Sequence, residues 1–403
     1  MATHPGQLLL SLLLGLIAAS VLVGAIYLLV PRRRPVRVVR ESTSTASGAP
    51  RPTLAAAGTR RLSTLAAALG AVLLLLVFAG KYLVGAFFPN GSAPVDRPNG
   101  TVSKVRGASG AELAVVRYGP NEGPALVFTH GWGADRRDWS YAISALPADV
   151  RVVVWDLPGL GESSPTPSGD YSMEAMAADL DSVVSSLQGR PAILVGHSVG
   201  GMLNLEYARR YPQRLGREVR GLVQVNTTYT NPVETKKNAE LSRKLQKPVL
   251  EPLLHVVDWT SPVARVFGWL AYQSGLAHLQ LATQSFAGAE TWDQLDQMAR
   301  YAYRSSPRVV ARGVLAMLRW DGSNVLPKIA VPTLIISGNE DVTTLPVASD
   351  RMERDMRSST RVSIGRAAHL GPVEQYQAYA AAISQFAGKA YGASGVPVAA
   401  ADK

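Results

Sequence analysis

The stretch Ala192-Ile-Leu-Val-Gly196-His-Ser198-Val-Gly200 decides the fold, because it joins a short β-rich run to a helix through a turn with a serine at its apex. A turn this tight strains the serine backbone, and side chains on the neighbouring residues would clash, so glycine is needed at Gly196 and Gly200. The pattern Gly-x-Ser-x-Gly also occurs in ordinary turns. Its position between a strand and a helix predicts that Ser198 is a nucleophile.

Compact β-rich runs recur along the chain and indicate strands that are buried on both faces. They are Ala125 to Thr129, Arg151 to Trp155, Ala192 to Gly196, Gly221 to Val225, Thr333 to Ser337 and Thr360 to Ile364. Before them, the alternating stretches Val102 to Arg106 and Glu112 to Tyr118 predict an antiparallel hairpin. Helical stretches such as Ser172 to Leu187 and Gly200 to Tyr211 separate the strands. The sequence therefore predicts an α/β fold with a mainly parallel sheet.

One long segment interrupts the alternation of strands and helices. From Asn226 to about Pro327 the chain is helix-biased and rich in aromatic residues, and it lacks a clear strand. We interpret residues 226–327 as a helical cap inserted between two parts of the core, 101–225 and 328–388. Residues 89–100 are expected to form a linker and residues 389–403 a disordered tail.

A nucleophilic serine needs a general base, which in sites of this type follows the nucleophile and the acid along the chain. Five of the six histidines stand in other contexts: His4 before the first apolar segment, His130 and His197 in other turns, and His255 and His278 in the cap. His369 alone lies after the last predicted strand, which makes it the candidate base.

The candidate acid is Asp341, which closes the stretch Leu334-Ile-Ile-Ser-Gly-Asn-Glu-Asp341 just beyond the end of a buried strand. Parallel sheets place their sites at this end of the strands. Glu340 and Asp350 are nearby alternatives, and a solvated loop carboxylate is the simplest structural interpretation. For the oxyanion, backbone N–H donors are expected from Val199, after the nucleophile, and from Trp132, in the turn after the strand Ala125 to Thr129.

Taken together, these motifs resemble the α/β-hydrolase superfamily over roughly Thr101 to Gly388. The resemblance is carried by the ordered set His130-Gly-Trp-Gly133, Asp156-Leu-Pro-Gly-Leu-Gly-Glu-Ser163, Gly196-His-Ser-Val-Gly200, Gly338-Asn-Glu-Asp341 and His369. Ala368 departs from the pattern, since a glycine usually precedes the histidine. The resemblance implies a capped serine hydrolase with the catalytic residues Ser198, Asp341 and His369 and no cofactor or metal. Esterases, lipases, carbon–carbon bond hydrolases, acyltransferases and cofactor-free haloperoxidases share this pattern, so it does not name the substrate.

The first 88 residues contain two candidate membrane-spanning helices. Leu8 to Val30 and Leu62 to Gly80 carry no charged residue. We predict transmembrane helices over 1–30 and 62–88, although a cleaved signal peptide is an alternative for the first. Between them, residues 31–61 hold eight arginines and one acid, Glu41, which predicts a cytoplasmic loop. The catalytic domain is then extracytoplasmic, in a two-pass membrane protein.

The net charge of +11 does not indicate nucleic-acid binding, because most of it belongs to the loop 31–61. The absence of cysteine excludes disulfides, thiol catalysis and cysteine metal sites. As substrate we expect a small-molecule or lipid ester, from the resemblance to esterases and lipases. As partners of the two apolar N-terminal segments we expect membrane lipids. An acyltransferase and a non-catalytic binding protein of the same fold remain alternatives.

Overall fold

The computed structural model describes residues 54–92, 97 and 100–392. Its centre is an eight-stranded sheet in the order β1-β2-β4-β3-β5-β6-β7-β8. β2 runs antiparallel to both of its neighbours, and all pairings among β3 to β8 are parallel. The strands are β1 (Thr101–Arg106), β2 (Glu112–Tyr118), β3 (Ala125–Thr129), β4 (Arg151–Trp155), β5 (Ala192–His197), β6 (Val219–Val225), β7 (Thr333–Gly338) and β8 (Ser359–Ile364). The predicted mainly parallel sheet with a leading antiparallel hairpin is confirmed.

Helices precede, connect and follow these strands. They are α1 (Leu54–Gly85), α2 (Ser140–Ser144), α3 (Met173–Ser185), α4 (Val199–Arg210), α5 (Ala239–Leu245), α6 (Glu251–Trp259), α7 (Ser261–Gln273), α8 (Leu276–Gln284), α9 (Trp292–Ala299), α10 (Tyr301–Arg304), α11 (Pro307–Met317), α12 (Pro346–Asp355), α13 (Gly371–Glu374) and α14 (Tyr376–Tyr391). Helices α5 to α11 lie between β6 and β7, in the segment for which the sequence predicted a helical cap. We call this group of seven helices the cap.

Successive residues of the central strands enter two apolar layers, because side chains alternate across a sheet. In β3, Val127 belongs to the layer that contains Met176 of α3, whereas Phe128 belongs to the layer that contains Ile383 of α14. Burial on both faces explains why these runs are apolar throughout. β8 is different: it pairs on one side only, and Ile364 is its one buried residue. The prediction that Thr360 to Ile364 is buried on both faces was therefore wrong, since it is an edge strand.

Helix α1 corrects the predicted organisation of the N-terminal region. It is continuous over 32 residues, so no loop ends at residue 61. Its last turns pack on the cap: Val84 is buried against Gly275, and Gly80 lies against the backbone of Ser274. In the described part of the chain, no helix has the length and apolar character required to cross a membrane. The predicted transmembrane helix over 62–88 is thus not supported, and the one over 1–30 lies outside the described residues, as does 31–53.

The two ends of the globular part are also more ordered than predicted. In the expected linker, the Pro89 carbonyl accepts a hydrogen bond from the Trp292 N–H, with 2.8 Å between nitrogen and oxygen. At the other end, α14 continues to Tyr391, whose hydroxyl donates to the Ala125 carbonyl at 3.0 Å. The prediction that disorder begins at residue 389 was therefore wrong for 389–391, because this last turn is tied to the sheet. Residues 393–403 lie outside the described residues.

Candidate active site

Ser198 lies in a strained turn between β5 and α4. Its φ of 53° and ψ of −118° are rarely adopted by a residue with a side chain. A Cβ on Gly196 would stand 2.2 Å from the backbone of Gly200, and a Cβ on Gly200 would stand 2.4 Å from the carbonyl oxygen of Thr129. Close backbone packing therefore requires both glycines, and it holds the serine at the carboxyl end of the sheet.

The structure brings Ser198, His369 and Asp341 into one hydrogen-bonded chain. The distance from His369 Nε2 to Ser198 Oγ is 3.1 Å, and that from His369 Nδ1 to Asp341 Oδ2 is 2.9 Å. The Asp341 side chain is 1% exposed and that of His369 is 12% exposed. A nucleophile in contact with a base, which is oriented by a third group, is the arrangement required for nucleophilic catalysis.

Asp341 is held by the loop that follows β7. Its Oδ1 accepts hydrogen bonds from the N–H groups of Thr343 and Thr344, both at 2.8 Å, and its Oδ2 accepts one from the Thr344 hydroxyl at 2.7 Å. Burial opposes ionisation of this carboxyl, but the His369 charge and these hydrogen bonds lower its pKa below the ordinary value. The carboxylate is therefore ionised at neutral pH and faces the imidazole.

The two alternative acids do not contact the histidine. Glu340 is exposed to solvent. Asp350 lies on α12, where its carboxylate pairs with Arg361 of β8. Of the three candidate acids, only Asp341 is therefore placed to orient the imidazole of His369.

Both proposed oxyanion donors lie near the serine. Val199 is the first residue of α4, so its N–H is one of the four that have no acceptor within a helix. Trp132 follows β3, and its indole N–H donates to the Val310 carbonyl of α11 at 2.9 Å. This bond ties the turn that carries Trp132 to the cap.

A second buried pair, which the sequence analysis did not identify, lies beneath the site. His197 Nδ1 is 2.9 Å from Asp138 Oδ2, and His197 Nε2 is 2.9 Å from the carbonyl oxygen of His369. Asp138 Oδ2 also accepts from the Gly131 N–H at 3.1 Å. Burial opposes both charges, but their mutual attraction raises the pKa of His197 and lowers that of Asp138. A charged His197 donates from both nitrogens, so the pair connects the oxyanion turn, the serine turn and the histidine loop.

Asn226 and Glu374 also support the histidine loop. The Asn226 amide donates to the carbonyls of Ala368 and His369, at 2.8 and 3.0 Å. The Glu374 carboxylate accepts from the N–H groups of Ala287 and Ala289 in the cap, at 2.8 and 3.0 Å. Burial raises the pKa of Glu374 to about 7. The loop with the unusual Ala368 is therefore held from both the sheet and the cap.

A pocket of about 520 Å³ opens beside Ser198 and His369. Its wall is largely apolar and comes from the cap and the oxyanion turn. Among its lining residues are Trp132, Leu254, Val257, Leu281, Met298 and Val310. Of the described residues that line it, only Asp138 and the two histidines next to the serine can carry charge near neutral pH, while Gln280, Ser285, Tyr301 and Ser305 are polar without charge. The pocket suits an uncharged, apolar group adjacent to the nucleophile.

Comparison with known proteins gives a consistent result. A model of the family described as "alpha/beta hydrolase fold" matches residues 124–376. The pimeloyl-[acyl-carrier protein] methyl ester esterase of Neisseria meningitidis is 27% identical over 269 residues, which cover 66% of this chain and 94% of that protein. The magnesium-chelatase 30 kDa subunit of Rhodobacter capsulatus is 28% identical over 252 residues, covering 62% of this chain and 81% of that one.

Solved structures show the same similarity. The thermophilic esterase from Thermogutta terrifontis superposes with a TM-score of 0.59 and 26% sequence identity. The match covers 72% of this chain and 100% of the esterase. The similarity therefore extends over the whole of that esterase chain.

Proposed function

The chain belongs to the α/β-hydrolase fold family as a carboxylic ester hydrolase, and we propose that it cleaves an apolar or lipid-like ester through Ser198, His369 and Asp341. The observation that carries the proposal is the hydrogen-bonded chain from Asp341 through His369 to Ser198 Oγ. A surface turn without function would not require a strained serine, a buried carboxylate and a histidine in this order.

In the proposed reaction, His369 Nε2 takes the proton of the Ser198 hydroxyl as the oxygen attacks the ester carbonyl carbon. The N–H groups of Val199 and Trp132 stabilise the negative charge on the carbonyl oxygen. His369 then gives its proton to the departing alcohol, which leaves an acyl group on Ser198. Water attacks this acyl-enzyme with His369 again as base, and the carboxylic acid is released. Asp341 stabilises the imidazolium that forms in both steps.

The pocket supports an apolar substrate. Its lining carries few polar groups beyond the catalytic residues, so a charged acyl or alcohol group would lose its hydration without compensation. A hydrocarbon chain placed there gains roughly 0.8 kcal/mol for each CH₂ removed from water. Esters with medium or long acyl chains should therefore react faster than acetates.

Labelling by a fluorophosphonate probe tests the proposal. The intact protein should be labelled, and Ser198→Ala and His369→Ala should not. Asp341→Asn should label far more slowly, whereas Asp350→Asn, which changes a carboxylate outside the site, should label normally. Loss of labelling in Asp350→Asn together with retention in Asp341→Asn would refute the assigned acid. Hydrolysis of p-nitrophenyl esters of increasing length then measures the chain preference, and ester products formed with added alcohol would indicate an acyltransferase.

We also propose that the N-terminal region attaches the protein to a membrane, with the catalytic domain on the extracytoplasmic side. Attachment is supported by the uncharged segment Leu8 to Val30 and the arginine-rich segment that follows it. The extracytoplasmic side requires a second crossing, which rests on the uncharged sequence Leu62 to Gly80. An alkaline phosphatase fused to the C-terminus should be active, and a green fluorescent protein fused there should not fluoresce. The opposite result would place the domain in the cytoplasm, as expected if residues 8–30 alone cross the membrane.

A further inference from the structure

Exposed apolar side chains are concentrated on one part of the described structure. Ten of the eighteen large exposed ones lie in residues 241–269, and six lie in residues 72–87, on α1 and the turn that follows it. The other two are Val102 and Val347. Monomeric proteins rarely expose contiguous apolar patches of this kind unless a partner covers them.

The two groups form one surface, because α1 packs on α7. The rings of Phe78 and Trp269 meet edge to face, with 6.3 Å between their centroids. Gly80 lies against the backbone of Ser274, so no side chain separates the two elements there. We call the exposed apolar residues of 72–87 and 241–269 the apolar surface.

Helices α6 and α7 place apolar side chains on both faces, although His255 and Arg265 are also exposed on them. Their inner side contributes Leu254, Val257 and Ala264 to the active-site pocket. Their outer side exposes Trp259 and Phe267, which are 82% and 65% exposed. A surface helix in water normally carries a polar outer face, and one that is apolar all round is normally buried in protein or lipid.

The charges near the apolar surface identify its occupant. The four acids of residues 234–258 all have partners: Glu234 pairs with Arg243, Glu240 with Lys244 and Asp258 with Arg308 and Arg312, while Glu251 accepts from Gln246. Within the described structure, no ion pair neutralises Lys247 and Arg265, the exposed cations among residues 244–269 that have no acidic partner. A second copy of the chain would bring these cations together across the interface. The segment 31–53 of the same chain carries six arginines and would be repelled as well.

We propose that the apolar surface lies in the interfacial region of a lipid bilayer that contains anionic headgroups. Apolar and aromatic side chains enter the acyl boundary, and the unpaired cations contact the headgroups. Because the inner side of the same helices lines the pocket, an ester in the bilayer is next to the wall of the active site. This last step rests on the proposed function, whereas lipid contact does not.

The absence of cysteine makes site-specific labelling direct. Full-length Phe267→Cys and Trp259→Cys, labelled with the fluorophore NBD, are reconstituted in vesicles of phosphatidylcholine and phosphatidylglycerol. The matched control is Val102→Cys, on the edge strand β1 with 61% exposure in the native residue. Emission at 267 and 259 should shift to the blue and be quenched by doxyl-labelled lipid, while the control is quenched by aqueous iodide.

Other results would overturn the proposal. Quenching of position 267 by iodide would mean that water covers the surface. A blue shift without lipid quenching would indicate a protein partner: a second copy if the shift disappears on dilution, and residues 1–53 if it persists. All of these measurements can be made in a Ser198→Ala background, so they do not depend on catalysis.

A kinetic experiment then tests delivery of substrate from the bilayer. Trp259→Ser with Phe267→Ser should lower hydrolysis of a long-chain ester in vesicles by about tenfold or more, since two large apolar groups no longer enter the lipid. Hydrolysis of a soluble short-chain ester should be unchanged. Equal loss on both substrates would contradict the proposed route. If the unmodified protein hydrolyses neither ester, the proposed function fails, while the labelling result still decides lipid contact.

Discussion

Replacing Asp138 with asparagine removes one charge from the buried pair beneath the serine. The asparagine retains the volume and one acceptor oxygen, but His197 loses the carboxylate that stabilises its charge at 2.9 Å. Both side chains are 2% exposed, so solvent cannot replace the lost partner. Removing one member of a buried charge pair costs about 3–5 kcal/mol of stability. In a domain of this size, that corresponds to a fall of roughly 10 °C in the midpoint of thermal unfolding.

The same change should lower activity. A neutral His197 has a single N–H. If Nδ1–H donates to the side-chain oxygen of the new asparagine, Nε2 carries a lone pair and can no longer donate to the His369 carbonyl oxygen, which lies 2.9 Å away. The histidine loop then shifts, and a displacement near 1 Å lowers kcat by about a hundredfold. KM for a short ester should change little, because the pocket wall is intact.

Scanning fluorimetry and steady-state hydrolysis of a short p-nitrophenyl ester measure both effects. Asp350→Asn is the control, because its exposed ion pair with Arg361 should contribute less than about 1 kcal/mol. The double variant Asp138→Asn with His197→Gln removes both charges and should recover part of the lost stability. An Asp138→Asn protein with native stability and native kcat would refute the reasoning.

Three further predictions concern the pH response, the oxyanion turn and the pocket. The pKa of Glu374 is about 7 in the folded protein, above its ordinary value of 4.5, so the folded state binds the carboxyl proton more tightly than the unfolded state. The free energy of unfolding therefore falls as pH rises from 4.5 to about 7, by at most about 3 kcal/mol. Glu374→Gln should abolish this fall in thermal unfolding between about pH 5 and about pH 8, and a persistent fall would assign it to another group. Gly313→Ala places a Cβ 1.9 Å from the Trp132 ring and should lower kcat about tenfold, because it moves the oxyanion turn. The control Gly365→Ala, whose Cβ meets nothing within 4 Å, should leave kcat unchanged. Equal loss of kcat in the two variants would contradict this prediction. Ala264→Phe fills part of the pocket and should shift the preferred p-nitrophenyl ester to a shorter chain, and an unchanged profile would mean that the acyl chain binds elsewhere.

Much of the sheet and the positions of three site residues could be predicted because the relevant signals are local. Strands buried on both faces read as short apolar runs, and the turn at Ser198 needs glycine at 196 and 200 whatever surrounds it. Asp341 and His369 follow strands β7 and β8, so the common direction of the parallel strands takes both to one edge of the sheet. Asp341 was preferred from the sequence, but excluding Asp350 needed the structure, because the partner of Asp350 is on the strand β8.

The α/β architecture and the candidate nucleophile could thus be predicted without the structure, since backbone sterics and apolar periodicity act over a few residues. Only the tertiary structure brings Asp138 and His197 together, since they are 59 positions apart in the chain and stabilise each other's charge against the cost of burial. It also decided the surroundings of α1, because an apolar helix has the same composition whether lipid or protein covers it. Val84 is buried by the cap, whereas Phe78 and Leu83 on the same helix remain exposed. Local sequence specifies which side chains avoid water, and only the assembled fold specifies what they contact instead.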